Sequence, residues 1–252
     1  MYFDTHAHYD DAKFDEDRYE LIESLPTKNV SLVLNPGCDG ISSRKAVSFA
    51  EKYQFFYAAV GWHPEEAESW DETSIPLLME LASHPKVKAI GEIGLDYYWT
   101  SDNKEKQKKM LIAQMELARE LNKPVIIHDR EAHADCFEIV RSFSDVRTVF
   151  HCYSSSAEMA RQLVSLGHYL SFTGSITFKN ARKAPEVIEA VPIDRIMLET
   201  DSPYLAPTPY RGKRNDSSFL PFVAERIGEI KGLSPEKVAE ICMENGKRFF
   251  GI

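Results

Sequence analysis

Eight short apolar runs recur along the chain, at MYFDTHAH, VSLVLNPG, FFYAAVGWHP, VKAIGEIGLD, PVIIHDR, VRTVFHCYS, HYLSFTGS and DRIMLETDSP, and this rhythm restricts the fold more than any other feature. Each run is too short for a helix and rich in β-branched or aromatic residues, so each predicts a strand. Segments of helical spacing lie between them. In residues 103–121, Met110, Gln114, Leu117 and Leu121 mark one stripe beside Leu111, Met115 and Ala118, a face suited to packing on a sheet. Residues 42–52, 75–83, 132–142, 156–166, 182–190 and 216–230 read likewise, and Ser234 followed by Pro235 supplies an N-cap and first turn for a last helix to about residue 250. Eight strands alternating with helices in 252 residues match the size and order of a (β/α)8 TIM barrel. The alternative, an open doubly wound sheet, usually carries a Gly-rich phosphate loop after its first strand, and this chain shows none there.

Without a constant-period repeat, a low-complexity tract or a linker-like stretch, the expectation is one domain over residues 1–252. Hydrophobic residues make up 43% and charged residues 27%, with no run of eighteen apolar residues and no charged-then-apolar leader. A soluble cytoplasmic protein is expected, with no membrane partner and no obligate protein partner. Cys38, Cys136, Cys152 and Cys242 are scattered and form no C-x-x-C pair, so neither a disulfide framework nor a zinc knuckle is indicated. The net charge of −9 argues against a large basic surface for duplex DNA, while leaving room for a local phosphate site.

In a barrel of this kind chemistry sits at the C-terminal ends of the strands. There the first run carries His6 and His8, two apart and aimed one way on a strand with Asp4; the third leads into His63; the fourth carries Glu92 between Gly91 and Gly94. The fifth ends in His128, the sixth in His151, and the eighth in Glu199 and Asp201. Each has a bland alternative: a loop carboxylate for Glu92, a satisfied core imidazole for His128 or His151, a turn cap before Pro203 for Asp201. Together they converge on one barrel mouth. His6, His8, His128 and His151 with Glu92 and Asp201 exceed what one tetrahedral ion needs and suit two divalent ions about 3.5–4 Å apart, bridged by a carboxylate. Magnesium, manganese, zinc and nickel all remain open. His84, His133 and His168 lack such placement and read as structural.

The ordered motifs DTHAHYD (4–10), GWHPEEA (61–67), GEIGLDYY (91–98), PVIIHDREA (124–132), HCYSS (151–155), FTGSITFKNA (172–181) and LETDSPYLAP (198–207) span the chain. With them it resembles the TatD-related metal-dependent deoxyribonucleases of the amidohydrolase-like TIM-barrel superfamily. The resemblance implies that His6, His8, Glu92 and Asp201 hold one ion, and that Glu92, His128 and His151 hold the second. It further places His63 at the scissile phosphate and Asn215 in a substrate loop, here YRGKRNDSS. Two positions depart from the family pattern: Asp216-Ser217 replaces Glu-Pro, and HCYSS replaces H-C-F-S-G, so Tyr153 adds a hydroxyl and Ser155 a side chain.

The activity so implied is hydrolysis of phosphodiesters in single-stranded or fraying DNA, from a 3′ end, with Asp201 as general base as well as ligand and Glu199 orienting a ligand or water. Two other readings keep the same residues. One changes the electrophile to an ester or amide, as in a D-aminoacyl-tRNA deacylase; the other is a non-enzymatic binding protein with a structural ion. Arg211, Lys213 and Arg214 form a basic cluster suited to flanking phosphates or to solvent. Tyr97, Tyr98 and Trp99 suit either stacking on unpaired bases or roofing the barrel.

Overall fold

The computed structural model describes residues 1–99 and 101–252. Strands and helices alternate: β1 (Tyr2–Asp4), α1 (Arg18–Ser24), β2 (Val30–Pro36), α2 (Gly40–Lys52), β3 (Phe56–Val60), α3 (Ser74–Ala82), β4 (Val87–Asp96), α4 (Lys104–Glu120) and β5 (Val125–Arg130). Then come α5 (His133–Ser142), β6 (Thr148–Phe150), α6 (Ala157–Ser165), β7 (Tyr169–Phe172), α7 (Lys183–Ala190), β8 (Ile196–Leu198), α8 (Leu220–Lys231) and α9 (Pro235–Phe250). The sheet order follows the sequence from β1 to β8, and β1·β2, β3·β4, β4·β5, β5·β6 and β7·β8 pair in parallel. This is the (β/α)8 order that the apolar rhythm predicts. No helix among the described residues is long and apolar enough to cross a membrane.

The chain forms two compact units, one of Met1–Asn35, Cys152–Ser165 and Tyr169–Ile252, the other of Pro36–His151 and Leu166–His168. In the first unit α9 packs on β1 and β8. Phe249 meets Tyr169 at 5.2 Å and Phe250 meets Phe3 at 5.9 Å between ring centroids. Asn245 donates to the Ile193 and Ile196 carbonyls at 2.9 and 2.8 Å, tying the helix to the start of β8. A methyl group on Gly246 would sit 2.7 Å from the Phe3 ring, so glycine sets how closely α9 approaches the strand. The Ser234 cap forms as expected, accepting from the Lys237 amide at 3.2 Å.

Two helical segments differ from expectation. α1 has seven residues, too few to show a 3.6-residue period, and no helix is expected there from sequence. The predicted helix at 216–230 is a 3-10 turn at Ser217–Phe219 followed by α8. Asp216 caps that turn by accepting from the Ser218 amide at 2.8 Å, and the Ser217 hydroxyl meets the buried Tyr9 hydroxyl at 2.7 Å. Asp216 and Ser217, one of the two departures noted above, thus close the turn and anchor it to the loop after β1.

In the second unit β4 lies between β3 and β5. Gly94, with φ +156°, permits this pairing: a Cβ there would overlap the His128 carbonyl on β5. The apolar stripe of α4 is buried at Met110, Leu111, Gln114, Met115, Leu117 and Ala118, while Leu121, also expected on it, lies past the helix end and is half-buried. Its amides grip strand ends. Gln114 accepts from the Trp62 amide at 2.7 Å and donates to the Trp62 carbonyl at 3.1 Å, fixing the backbone just before His63. Gln107, one heptad earlier on the same stripe, does the same for Asp96 at 2.9 and 3.0 Å.

Candidate metal centre

In the first unit β1 ends at Asp4, the chain bends at Thr5, and Ala7 forms an isolated bridge just beyond. The Ala7 amide donates to the Leu34 carbonyl at 3.1 Å, the His8 amide to Ser202 at 2.7 Å, and the Asp201 amide to His6 at 2.9 Å. A parallel bridge between Ala7 and Ser202 results, which sets the two chain segments side by side. Asp4 is engaged elsewhere, accepting from the Thr200 amide at 3.0 Å and its hydroxyl at 2.6 Å. Asp201 turns the chain after β8 in the left-handed region, φ 55°, which aspartate tolerates better than most residues. The outcome is a tight group of three donors. His6 Nε2 and His8 Nε2 lie 3.0 Å apart, and Asp201 Oδ1 lies 3.8 and 3.5 Å from them.

The second unit builds a group around Glu92, which is 3% exposed. Glu92 Oε1 lies 2.7 Å from His151 Nε2, 2.9 Å from His128 Nδ1 and 3.6 Å from His63 Nε2. His128 Nδ1 and His151 Nε2 are 3.2 Å apart. The other nitrogen of His128, Nε2, faces Asp96 Oδ2 at 3.1 Å. Asp96 is itself fixed, its Oδ1 accepting from the Tyr98 and Trp99 amides, both at 2.8 Å. Burial works against the Asp96 anion, but the hydrogen bond from His128 and those two amides outweigh it and hold the carboxyl below its usual range. Burial likewise disfavours a charged His128, and the hydrogen bonds to Asp96 and Glu92 overcome it, raising the imidazole above its usual value. His63 Nδ1 accepts from the Glu65 amide at 3.2 Å, so its proton sits on Nε2.

Both groups fit a divalent ion. Ligand bonds of about 2.0–2.2 Å place neighbouring donors about 3.0 Å apart around an octahedral ion and about 3.4 Å apart around a tetrahedral one. The separations above run from 2.7 to 3.8 Å. Ligand atoms of His63, Glu92 and His128 lie within 4.8 Å of one another, and with the His63 proton on Nε2 the lone pairs there belong to Glu92 and His128. An Nε2–H of His128 donated to Asp96 leaves the Nδ1 lone pair available, the arrangement by which a carboxylate orients a metal-binding imidazole. Asp96 is the functional residue that the sequence reading misses. Its signal is the period of two along GEIGLD, which puts residues 92, 94 and 96 on one face of β4. For Asp96→Asn we expect the side-chain amide to face His128 Nε2, favour the wrong tautomer, and weaken ion binding roughly 10- to 100-fold. Competition with a chromophoric chelator measures this directly.

The remaining expected residues take other places. Glu199 is buried and fully engaged: Oε1 accepts from the Cys152 amide and Oε2 from the Ser171 hydroxyl, both at 2.6 Å. It therefore fixes the left-handed turn at Cys152, φ 43°, immediately after His151. Asn215 is fully buried, donating to the Thr200 and Tyr204 carbonyls at 2.9 and 2.6 Å, and so clamps the loop after β8. Tyr153 is buried with its hydroxyl on the Ser156 carbonyl at 2.8 Å. It lines a cavity of about 460 Å³ with Cys152, Phe178, Arg182 and Lys183. Arg211 is exposed, 4.4 Å above the Phe178 ring, whereas Arg214 makes a two-pronged pair with Asp17 at 2.7 and 2.5 Å.

The sequence model of the family described as TatD related DNase matches residues 3–251. The chain belongs to the TatD family. The metal-dependent hydrolase YabD of Bacillus subtilis is 43% identical to it over 254 residues, covering 100% of both chains. The 3′-5′ ssDNA/RNA exonuclease TatD of Cronobacter sakazakii is 32% identical over 258 residues, covering 98% of this chain and 97% of its own. The crystal structure of YjjV, a TatD homologue from Escherichia coli K12, superposes with a TM-score of 0.94 at 28% identity, covering 100% of this chain and 98% of the other. These likenesses make the protein a TIM-barrel, metal-dependent hydrolase of the TatD family. They agree with the family, fold and enzyme class that the sequence motifs imply.

Proposed function

We propose that residues 1–252 act as one hydrolase domain whose two donor groups serve a single binuclear centre. In this reading His6, His8 and Asp201 would hold one ion and His128 and His151 the other, with Glu92 as a ligand available to each. The reading is carried by the short distances from Glu92 Oε1 to two imidazole nitrogens, 2.7 and 2.9 Å, in a buried position where an isolated carboxylate is costly. Divalent ions in such a donor set acidify a bound water and counter negative charge on a phosphoryl oxygen. The carboxylate of Asp201 takes the proton from the attacking water. His63, with its proton on Nε2, donates to a phosphate oxygen as charge grows there. Glu199 keeps His151 in place through the following peptide, and Asp96 keeps His128 in the required tautomer.

The substrate in this reading is single-stranded nucleic acid, DNA foremost, shortened from its 3′ end. The name of the Cronobacter relative supports that choice, as does the net charge of −9, which favours a strand end over a long duplex footprint. The test is chelator-treated protein reloaded in turn with magnesium, manganese, zinc or nickel and given a 5′-labelled oligonucleotide. Metal-dependent shortening from the 3′ end, lost in Asp201→Asn, is the expected result. Intact DNA with every metal, alongside release of the amino acid from a mischarged tRNA, would replace the nuclease reading with the deacylase one.

A further inference from the structure

The three aromatic residues after β4 do not behave alike. Tyr97 is held down, its amide on the Arg130 carbonyl at 2.9 Å and its hydroxyl on Asp135 at 2.7 Å. Tyr98 and Trp99 are 55% and 61% exposed, edge to face with ring centroids 4.7 Å apart. Arg130 places its guanidinium 4.4 Å from the Tyr98 ring centre and 5.4 Å from that of Trp99. Among the described residues that guanidinium makes no hydrogen bond or ion pair, so its donors are uncommitted. Two large exposed rings beside an uncommitted guanidinium form an unusual surface on an acidic protein.

The backbone beneath this surface is anchored at Tyr98 and Trp99. The Tyr98 and Trp99 amides are both bonded to Asp96 Oδ1, the carboxylate whose Oδ2 holds His128. Arg130 stands opposite Asp96 in the β4·β5 register, two residues beyond His128. The backbone that carries the rings is therefore tied to the Glu92 and His128 group by one carboxylate and one strand pair. Rings offer a flat apolar face and the guanidinium offers planar hydrogen bonds to an anion, the pairing that an unpaired base with its phosphate requires.

We infer that Tyr98, Trp99 and Arg130 form a stacking platform for an unpaired nucleobase of a single strand, with Arg130 on the adjoining phosphate. This rests on the nuclease reading for its biological use but not for its physical test. A base paired and stacked in a duplex cannot present its face to the rings, so the platform selects frayed or single strands.

The test compares two probes on the full chain in chelator, where no cleavage occurs: thymidine octanucleotide and an abasic octamer with the same phosphates. The parent protein should bind the thymidine strand roughly 5- to 100-fold more tightly. Tyr98→Ala with Trp99→Ala should bind both probes equally, with its melting temperature unchanged because both rings are exposed. Equal binding of the two probes by the parent, or an unchanged preference in the double variant, would overturn the platform. Hydrolysis of bis(4-nitrophenyl) phosphate by manganese-loaded protein separates the two claims. Base-dependent binding without hydrolysis of either diester or DNA leaves the platform and removes the nuclease; hydrolysis without base-dependent binding does the reverse.

Discussion

Glu92→Gln should lower phosphodiester hydrolysis by about a thousand-fold and leave the chain folded. The Glu92 carboxylate lies within 2.7–3.6 Å of nitrogens from His151, His128 and His63. An amide of the same shape keeps one acceptor but replaces an anionic oxygen with a donor, which must then compete with an ion for imidazole lone pairs. Losing one preorganised charge that acts on the transition state costs about 3–4 kcal/mol, and about 1.4 kcal/mol is tenfold in rate. Metal content should fall with activity, measured by elemental analysis after gel filtration. A Glu92→Gln protein with full metal content and full rate would show that the carboxylate is a bystander.

The second large effect concerns acid stability and lies away from the catalytic groups. His168 is 1% exposed, its Nδ1 accepting from the Thr148 amide at 3.3 Å, while its Nε2 is buried without a hydrogen-bond partner among the described residues. Burial pushes its pKa down to about 4. The unfolded chain takes up this proton near pH 6.5, whereas the folded one resists until about pH 4. The native state therefore loses stability as the pH falls through this window and not above it, by about 3 kcal/mol in all. In His168→Asn the side-chain oxygen preserves an acceptor for the Thr148 amide and nothing titrates. Urea unfolding of both proteins from pH 7.5 to 4 isolates the effect as the difference between the two profiles. Parallel profiles would show that His168 is protonated in the fold.

Where the chain advertises its chemistry follows from geometry. Short apolar runs that end in His, Glu or Asp reveal strand ends, because a strand too short for a helix leaves little else for a buried polar terminus to do. His6, His8, Glu92, His128, His151 and Asp201 are visible on that ground, and the structure puts each in one of the two donor groups. What stays hidden is pairing over distance. Gln107 and Gln114 read as two positions in a helical stripe, since nothing in an amide side chain names the Asp96 or Trp62 backbone as its partner. Arg214 reads as a phosphate contact in a basic loop until Asp17, 197 residues away, meets it. Asn215 sits in a polar stretch that suggests exposure, yet it is the loop's buried clamp. Asp96 was hidden differently: it is one of 39 acidic residues, and only the face it shares with Glu92 distinguishes it.

The donors of the first unit and those of the second should each hold an ion. The direct measurement is the number of ions retained per chain by the parent protein and by the His6→Ala, His8→Ala double variant, after loading with manganese or zinc and passage through a desalting column. Two ions are expected in the parent and no more than one in the variant, with the Glu92 group still occupied. Two ions retained in the variant would contradict this assignment.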